Sequence, residues 1–181
     1  MTLVALVGMA GAGKSEVSSV FIKCGYTKIR FGDITEEEVN RRQLPLNEEN
    51  ERIIREGFRK EYGMAAFAIL NLPKIDKAIT EGCNVVIDGL YSWEEYGVLK
   101  EHYGADIKIL AVITSPATRY MRLKTRTHRS LTAEQACSRD KSEIENINKG
   151  GPIVMADYAI INEETLEYLQ YKTRQVIDIL D

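Results

Sequence analysis

Cysteine is scarce in this sequence: Cys24, Cys83 and Cys137 are the three among 181 residues, an odd number, far apart and without CxxC spacing. Neither a disulfide framework nor a cysteine zinc site is expected, and the usage fits a reducing, cytoplasmic setting. Histidine is scarcer still. His102 and His128 are the two, each remote in sequence from any nucleophile or metal partner, and neither is assigned a catalytic role. No charge sign dominates: 24 Lys and Arg stand against 27 Asp and Glu, a formal net charge of −3. A global cationic field for nucleic acid or an anionic membrane is therefore not expected, and any basic function must be local. Long apolar runs are missing too. The N-terminal LVALV (3–7) stops at Gly8 with no basic leader, too short for a membrane span and unlike a signal peptide. Internal repeats and low-complexity segments are absent.

What is present is a rhythm. Short apolar runs, LVALV (3–7), TKIRF (27–31), NVVID (84–88), IKILAVI (107–113) and YAII (158–161), are separated by stretches whose apolar residues fall three or four apart. Continuous apolar strands alternating with helices predict a parallel sheet covered on both faces, an α/β fold. The length suits one domain with room for a mobile insertion. Ser115-Pro116 reads as a helix cap with proline at the first helical position, and Thr132 with Gln135 as a capping box. Leu166, Leu169, Val176, Ile177 and Leu180 have the spacing of a core-facing last helix. Two segments exceed a simple crossover: a charged helical excursion at about 33–70, and a stretch at about 126–150 that reads as a short helical lid with a flexible return at Gly150-Gly151.

The chemistry begins at residues 8–15. Gly8, Gly13, Lys14 and Ser15 fit GxxxxGK followed by Ser or Thr, placed between a strand and a helix. Glycine lets the backbone curl round phosphate oxygens, and the helix N-terminus offers free N–H groups. Lys14 adds a point charge, and the Ser15 hydroxyl is a ligand for Mg²⁺. Gly11, Ala12 and Glu16 belong to the same cradle. A merely connecting turn would explain the glycines but not Lys14-Ser15. GTPase base-reading sequences of the NKxD kind are absent, as are an ABC-type signature and a second ATPase sensor module, which leaves small-molecule kinases.

Phosphoryl transfer needs neutralised charge and in-line positioning. Arg119, Arg122 and Arg126 fall three and four apart, on one side of a helix leading to the lid, with Arg129 and Arg139 in the lid itself. Their alternative is a solvated face paired with acidic neighbours. Asp88 ends a buried strand beside Gly89, at the edge where parallel sheets bind ligands, placed to hold Mg²⁺ through water or to accept a hydrogen bond from the acceptor. The alternative there is an ordinary Asp-Gly turn.

GMAGAGKSE, VVIDG, SPATRYMRLKTR and ADYAIINE together resemble a mainly archaeal, adenylate-kinase-related P-loop family within the nucleoside monophosphate kinase and dephospho-CoA kinase group, over nearly the whole chain. The resemblance implies a three-layer P-loop NTPase fold with a five-stranded parallel sheet in order 2-3-1-4-5, a helical acceptor-binding insertion after strand two and a lid after strand four. It further implies ATP and Mg²⁺ as donor and cofactor, a small nucleotide-like acceptor such as a nucleoside monophosphate, and a monomer or homodimer without nucleic-acid or membrane partners. On the same resemblance Lys14, Asp88, Arg122, Arg126 and Arg139 are catalytic. Arg122 and Arg126 face the phosphates or adenine of ATP, and Ser15 and Asp88 hold the metal. Asp33, opening a helix in FGDITEEEVNRR, and Arg59, in FRKEYG, join Asp88 and Tyr91 on the acceptor side. Arg41, Arg42 and Arg55 read instead as salt-bridged surface arginines, given Glu48, Glu49, Glu51 and Glu56 nearby. Relatives often carry arginine where this chain has Glu36 and Tyr91; both changes remove cationic contacts from the acceptor pocket. Tyr91 and Trp93 offer rings to stack on a base, although core packing suits Trp93 better. Two other activities remain open: a dephospho-CoA kinase-like one, from LTAEQACSRDK with ADYAIINEETLEYL, and a regulatory ATPase acting on a protein partner.

Overall fold

The computed structural model describes residues 1–127 and 130–180. Strand β1 (Leu3–Val7) leads through the glycine-rich loop into α1 (Lys14–Lys23), and β2 (Thr27–Arg30) follows. Then come α2 (Asp33–Arg41), α3 (Glu48–Tyr62), a 3-10 turn (Gly63–Ala65) and α4 (Ala66–Thr80), before β3 (Val85–Asp88) and α5 (Trp93–Tyr103). The second half runs β4 (Ile107–Ile113), α6 (Pro116–Lys124), α7 (Ala133–Ile147), α8 (Gly150–Val154), β5 (Tyr158–Ile161) and α9 (Leu166–Leu180). All five strands are parallel, in the order β2-β3-β1-β4-β5. The predicted sheet order holds, and the strands lie within or match the apolar runs.

Alternation along β1 explains the three layers. Leu3, Ala5 and Val7 pack with Ile29, Ile87 and Ile109 towards α4 and α5, while Val4 and Leu6 pack with Val86, Leu110 and Val112 towards α1 and α9. Both faces are covered, so the central strands are almost wholly apolar, with Lys108 in β4 and Asp88 at the end of β3 as the charged residues. The predicted caps form. Ser115 Oγ accepts from the Thr118 N–H ahead of Pro116, and Thr132 and Gln135 complete a capping box.

Three expectations need correction. Gly150-Gly151 is not a flexible return but the first turn of α8; a Cβ on Gly151 would come within 2.5 Å of the Trp93 ring, so that glycine serves close packing. Trp93 is not core: it is 43% exposed and lies stacked against Tyr96 at 5.0 Å. Leu166, the first of the last helix's predicted core residues, is exposed, whereas Leu169, Val176 and Ile177 are buried.

Candidate phosphate-binding and acceptor site

The loop between β1 and α1 is built on backbone shapes that side chains resist. Gly8, Gly11 and Gly13 have φ of 143°, 82° and 103°, a region that L-residues rarely adopt. Contacts enforce the same choice: a Cβ at Gly8 would lie 2.4 Å from the Val112 carbonyl, and one at Gly13 2.4 Å from Asn162 Nδ2. Gly13 caps α1 without any side-chain hydrogen bond, leaving the helix's first amides for an anion. Asn162, from the ADYAIINE stretch, donates to the Ala12 carbonyl at 2.8 Å, and Thr114 Oγ1 donates to the same carbonyl at 3.1 Å. The loop is thus braced from behind.

Lys14 turns back into this loop, donating to the Gly8 carbonyl at 2.7 Å and the Met9 carbonyl at 3.1 Å. Burial, with the neighbouring Lys149 charge second, lowers its pKa to about 7 against the pull of Glu143 and Asp88. An anion on the loop supplies the missing countercharge and raises that pKa, so binding takes up a proton wherever the free lysine is neutral and the bound one charged. Polyphosphate affinity should therefore fall by about tenfold per pH unit as pH rises from 7.5 to 9. Calorimetry in buffers of differing ionisation enthalpy checks both slope and proton uptake. Flat affinity over that range would contradict the assignment.

Of the predicted donor-side residues, Arg122 lies beside the loop: it lines a cleft of about 210 Å³ with Gly13, Glu16, Asn162 and Leu169. Its Nη1 is buried without a partner among the described residues, and Nη2 approaches Asn162 Oδ1 at only 3.5 Å. Ser15 and Glu16 are exposed in the first turn of α1. Arg126 is exposed beyond the end of α6 and lines none of the clefts described here. Arg129 and His128 lie outside the described residues. Arg119 has another role: it is buried, gripping both Asp140 oxygens at 2.9 and 2.6 Å and donating to the carbonyls of Ala10 at 3.1 Å and Thr114 at 3.1 Å. It ties the loop to α7 and does not face phosphate.

On the side where an acceptor is expected lies a cleft of about 400 Å³ lined by Arg30, Glu36, Arg55, Arg59, Tyr91 and Arg139, among others. It adjoins an opening of about 900 Å³ between α3 and α7 that shares Arg55, Arg59 and Arg139. Arg59 sits with its guanidinium 5.7 Å from the Phe67 ring centre and a buried Nε lacking a partner among the described residues. Asp33 pairs with Arg30 at 3.1 Å at the start of α2. Glu36 accepts from the same guanidinium at 3.1 Å. The carboxylate that replaces an expected arginine thus anchors another one, from the end of β2. Arg41 and Arg42 are salt-bridged on the surface, as expected, but to Glu38 rather than to the glutamates of α3; Arg55, though paired with Glu48 and Glu51, also lines the cleft. Asp88 ends β3 with its carboxylate 2.9 Å from Lys28 Nζ.

Besides Arg30, a second cation is not signalled by the motifs. Lys149 is 1% exposed; its Nζ donates to Glu143 Oε2 at 2.6 Å and lies 4.6 Å from the Tyr91 ring centre. Helix α7 ends at Asn148 in the left-handed conformation, a helix stop that asparagine tolerates and that turns the next residue off the helix axis. The asparagine before Lys-Gly-Gly was the available signal.

The AAA domain family model matches residues 4–148. A UPF0200 protein of Pyrococcus abyssi is 33% identical over 168 residues, 91% of this chain and 89% of that one. The chain belongs to the UPF0200 family and to the AAA domain family. Among solved structures, a shikimate kinase from Bacteroides thetaiotaomicron superposes with a TM-score of 0.63 at 16% identity, covering 98% of each chain. A dephospho-CoA kinase from Campylobacter jejuni gives a TM-score of 0.60 at 14% identity, over 99% of this chain and 97% of that one. This UPF0200 protein therefore has the fold of P-loop kinases, as the resemblance implied. Among its described residues no helix is long and apolar enough to cross a membrane.

Proposed function

We propose that this protein is a MgATP-dependent phosphotransferase acting on a small, singly phosphorylated acceptor of the nucleoside monophosphate type. One juxtaposition carries the reading: Lys14 of the phosphate loop is within electrostatic reach of Glu143 and Arg139, and Arg139 lines both openings of a cleft in which Arg59 keeps a buried Nε without a partner among the described residues. An arginine-lined cavity gives a small anionic acceptor a place to bind, which phosphoryl transfer to such an acceptor requires. Gly8, Gly11, Ala12, Gly13 and Lys14 would hold the β and γ phosphates, with Arg122 beside Glu16 on the nucleoside side. The donors available to a metal are hard oxygens, the exposed Ser15 hydroxyl and the Asp88 carboxylate, and among the described residues no group of three or more His, Cys, Asp or Glu could hold one alone. That suits Mg²⁺, which takes one or two protein ligands and shares the rest with phosphates and water. When bound it would spread the charge developing between donor oxygens. Arg59 and Arg139 would orient the acceptor, and closing α7 over α3 would exclude water from the transfer.

A panel of nucleoside monophosphates and dephospho-CoA, incubated with MgATP and analysed for phosphorylated product, tests this reading. Arg59→Ala should raise the acceptor KM by about 10- to 100-fold, the loss of one charge-assisted contact, with MgATP affinity unchanged. Equal KM values for wild type and variant would remove Arg59 from the acceptor site. A second reading, a regulatory ATPase acting on a protein partner, draws on the carboxylates that already neutralise Arg30 and Arg55 in the cleft. It expects phosphate release independent of any small acceptor.

A further inference from the structure

The groups around Lys14 form a charge balance that the loop motif does not explain. Facing it are Lys149, beyond the end of α7; Glu143 and Arg139, on α7; and Asp88, at the end of β3. Glu143 divides its two oxygens: Oε1 accepts from Arg139 Nε at 2.9 Å, and Oε2 from Lys149 Nζ at 2.6 Å. Arg139 is bound there through Nε, which leaves its terminal nitrogens for the clefts it lines. Around Lys149, Glu143 and Arg139 contribute from α7 together with Asp140, and Tyr91 covers it from the loop after β3.

A buried carboxylate this close to the phosphate loop is a hazard for the reaction. Without Lys149, the second oxygen of Glu143 would be free to draw in Lys14 or the terminal nitrogens of Arg139, the groups that phosphate needs, and would repel the phosphate itself. We propose that Lys149 is a positioning residue of the transfer site: by holding Glu143 Oε2 while Oε1 stays on Arg139 Nε, it keeps that carboxylate off Lys14 and off the terminal nitrogens of Arg139, so that these remain available to phosphate. The inference rests on the phosphotransferase reading of the same site. Lys149 itself, almost wholly enclosed between Glu143 and Tyr91, touches no ligand in this role. Burial pushes the Glu143 carboxyl up, but the Lys149 ammonium and the Arg139 guanidinium hold it below the usual carboxylate range, so it is charged at neutral pH and needs its partner.

Lys149 and Glu143 are mutually dependent in this role, which a charge-balanced double variant can detect. Lys149→Gln alone should weaken ATP binding by about tenfold, because the freed oxygen of Glu143 then competes with phosphate for Lys14 and Arg139. The double variant Lys149→Gln/Glu143→Gln removes the carboxylate as well, and should bring affinity back to within about threefold of wild type. Lys149→Arg, keeping the charge, should bind almost as wild type. Calorimetric titration with ATP, alongside melting temperatures, reads all four proteins. A double variant no better than the single one would overturn the inference, as would a single variant that is less stable but unchanged in affinity. Wild-type protein that binds no ATP would instead bring down the phosphate-loop reading itself. Binding without acceptor phosphorylation would remove only the phosphotransferase assignment, since these readouts do not depend on turnover.

Discussion

Lys14→Ala protein is expected to fold normally and to lose nucleotide turnover by roughly 10³-fold or more, the scale on which a single preorganised charge acts in phosphoryl transfer. The folded state gives up little. Lys14 contributes two hydrogen bonds to loop carbonyls, but its charge is disfavoured by burial and by the nearby Lys149. The two effects oppose each other, so the melting temperature should stay within a few degrees of wild type, a change of about 1 kcal/mol at most. The asymmetry between a large kinetic and a small thermodynamic effect is the signature of a residue placed for a ligand. Equal losses of stability and turnover would mark Lys14 as a structural lysine, and unchanged turnover would remove the mechanism.

Asp140→Asn should do the reverse, with stability as the first casualty. The Asp140 carboxylate is gripped on both oxygens by Arg119, which is 4% exposed, and also accepts from the Tyr120 hydroxyl at 2.9 Å. Neutralising one member leaves the guanidinium buried without its counterion, an effect of about 3–5 kcal/mol. For a chain of this length that lowers Tm by roughly 10 °C. The loss should spread to the loop, because the same guanidinium holds the Ala10 carbonyl, and ATP affinity should weaken in parallel. Lys141→Ala, removing one member of an exposed and loose pair with Glu145 at 3.9 Å, is the control on the same helix and should stay within about 0.5 kcal/mol of wild type. Similar melting curves for the two variants would show that the Arg119–Asp140 pair is not what fastens α7 to the loop.

These two residues also mark how far the sequence could be read. Lys14 was legible because the loop's chemistry is local: glycines needed for positive φ, a lysine and a serine, all within eight consecutive residues between a strand and a helix. The sheet order came through the resemblance, and the strands through continuous apolar runs, because both faces of the sheet are covered. Arg119 was misjudged because spacing along a helix gives the side a residue faces, not what lies there. Three and four residues separate Arg119, Arg122 and Arg126, yet the first is sealed against α7, the second borders the loop and the third is exposed. Lys149 and Arg30 were missed for a related reason. Lys149 is turned inwards by one left-handed asparagine, and Arg30 enters the acceptor cleft because Glu36 and Asp33 hold it there. Both pairings reach across the end of an element, from β2 into α2 and from α7 to the residue beyond its cap, so helical spacing within one element does not show them. Trp93 and the Gly150-Gly151 pair were read apart but belong together, the glycine making room for the ring.

Transfer of the γ-phosphoryl group is the centre of this account, and ATP labelled at that phosphorus follows it most directly. With Mg²⁺ and each candidate acceptor present in turn, the label should appear in a new organic phosphate, in an amount that rises with one acceptor and vanishes in Lys14→Ala protein. Label that stays in ATP throughout, or emerges as inorganic phosphate at a rate no acceptor changes, would contradict it.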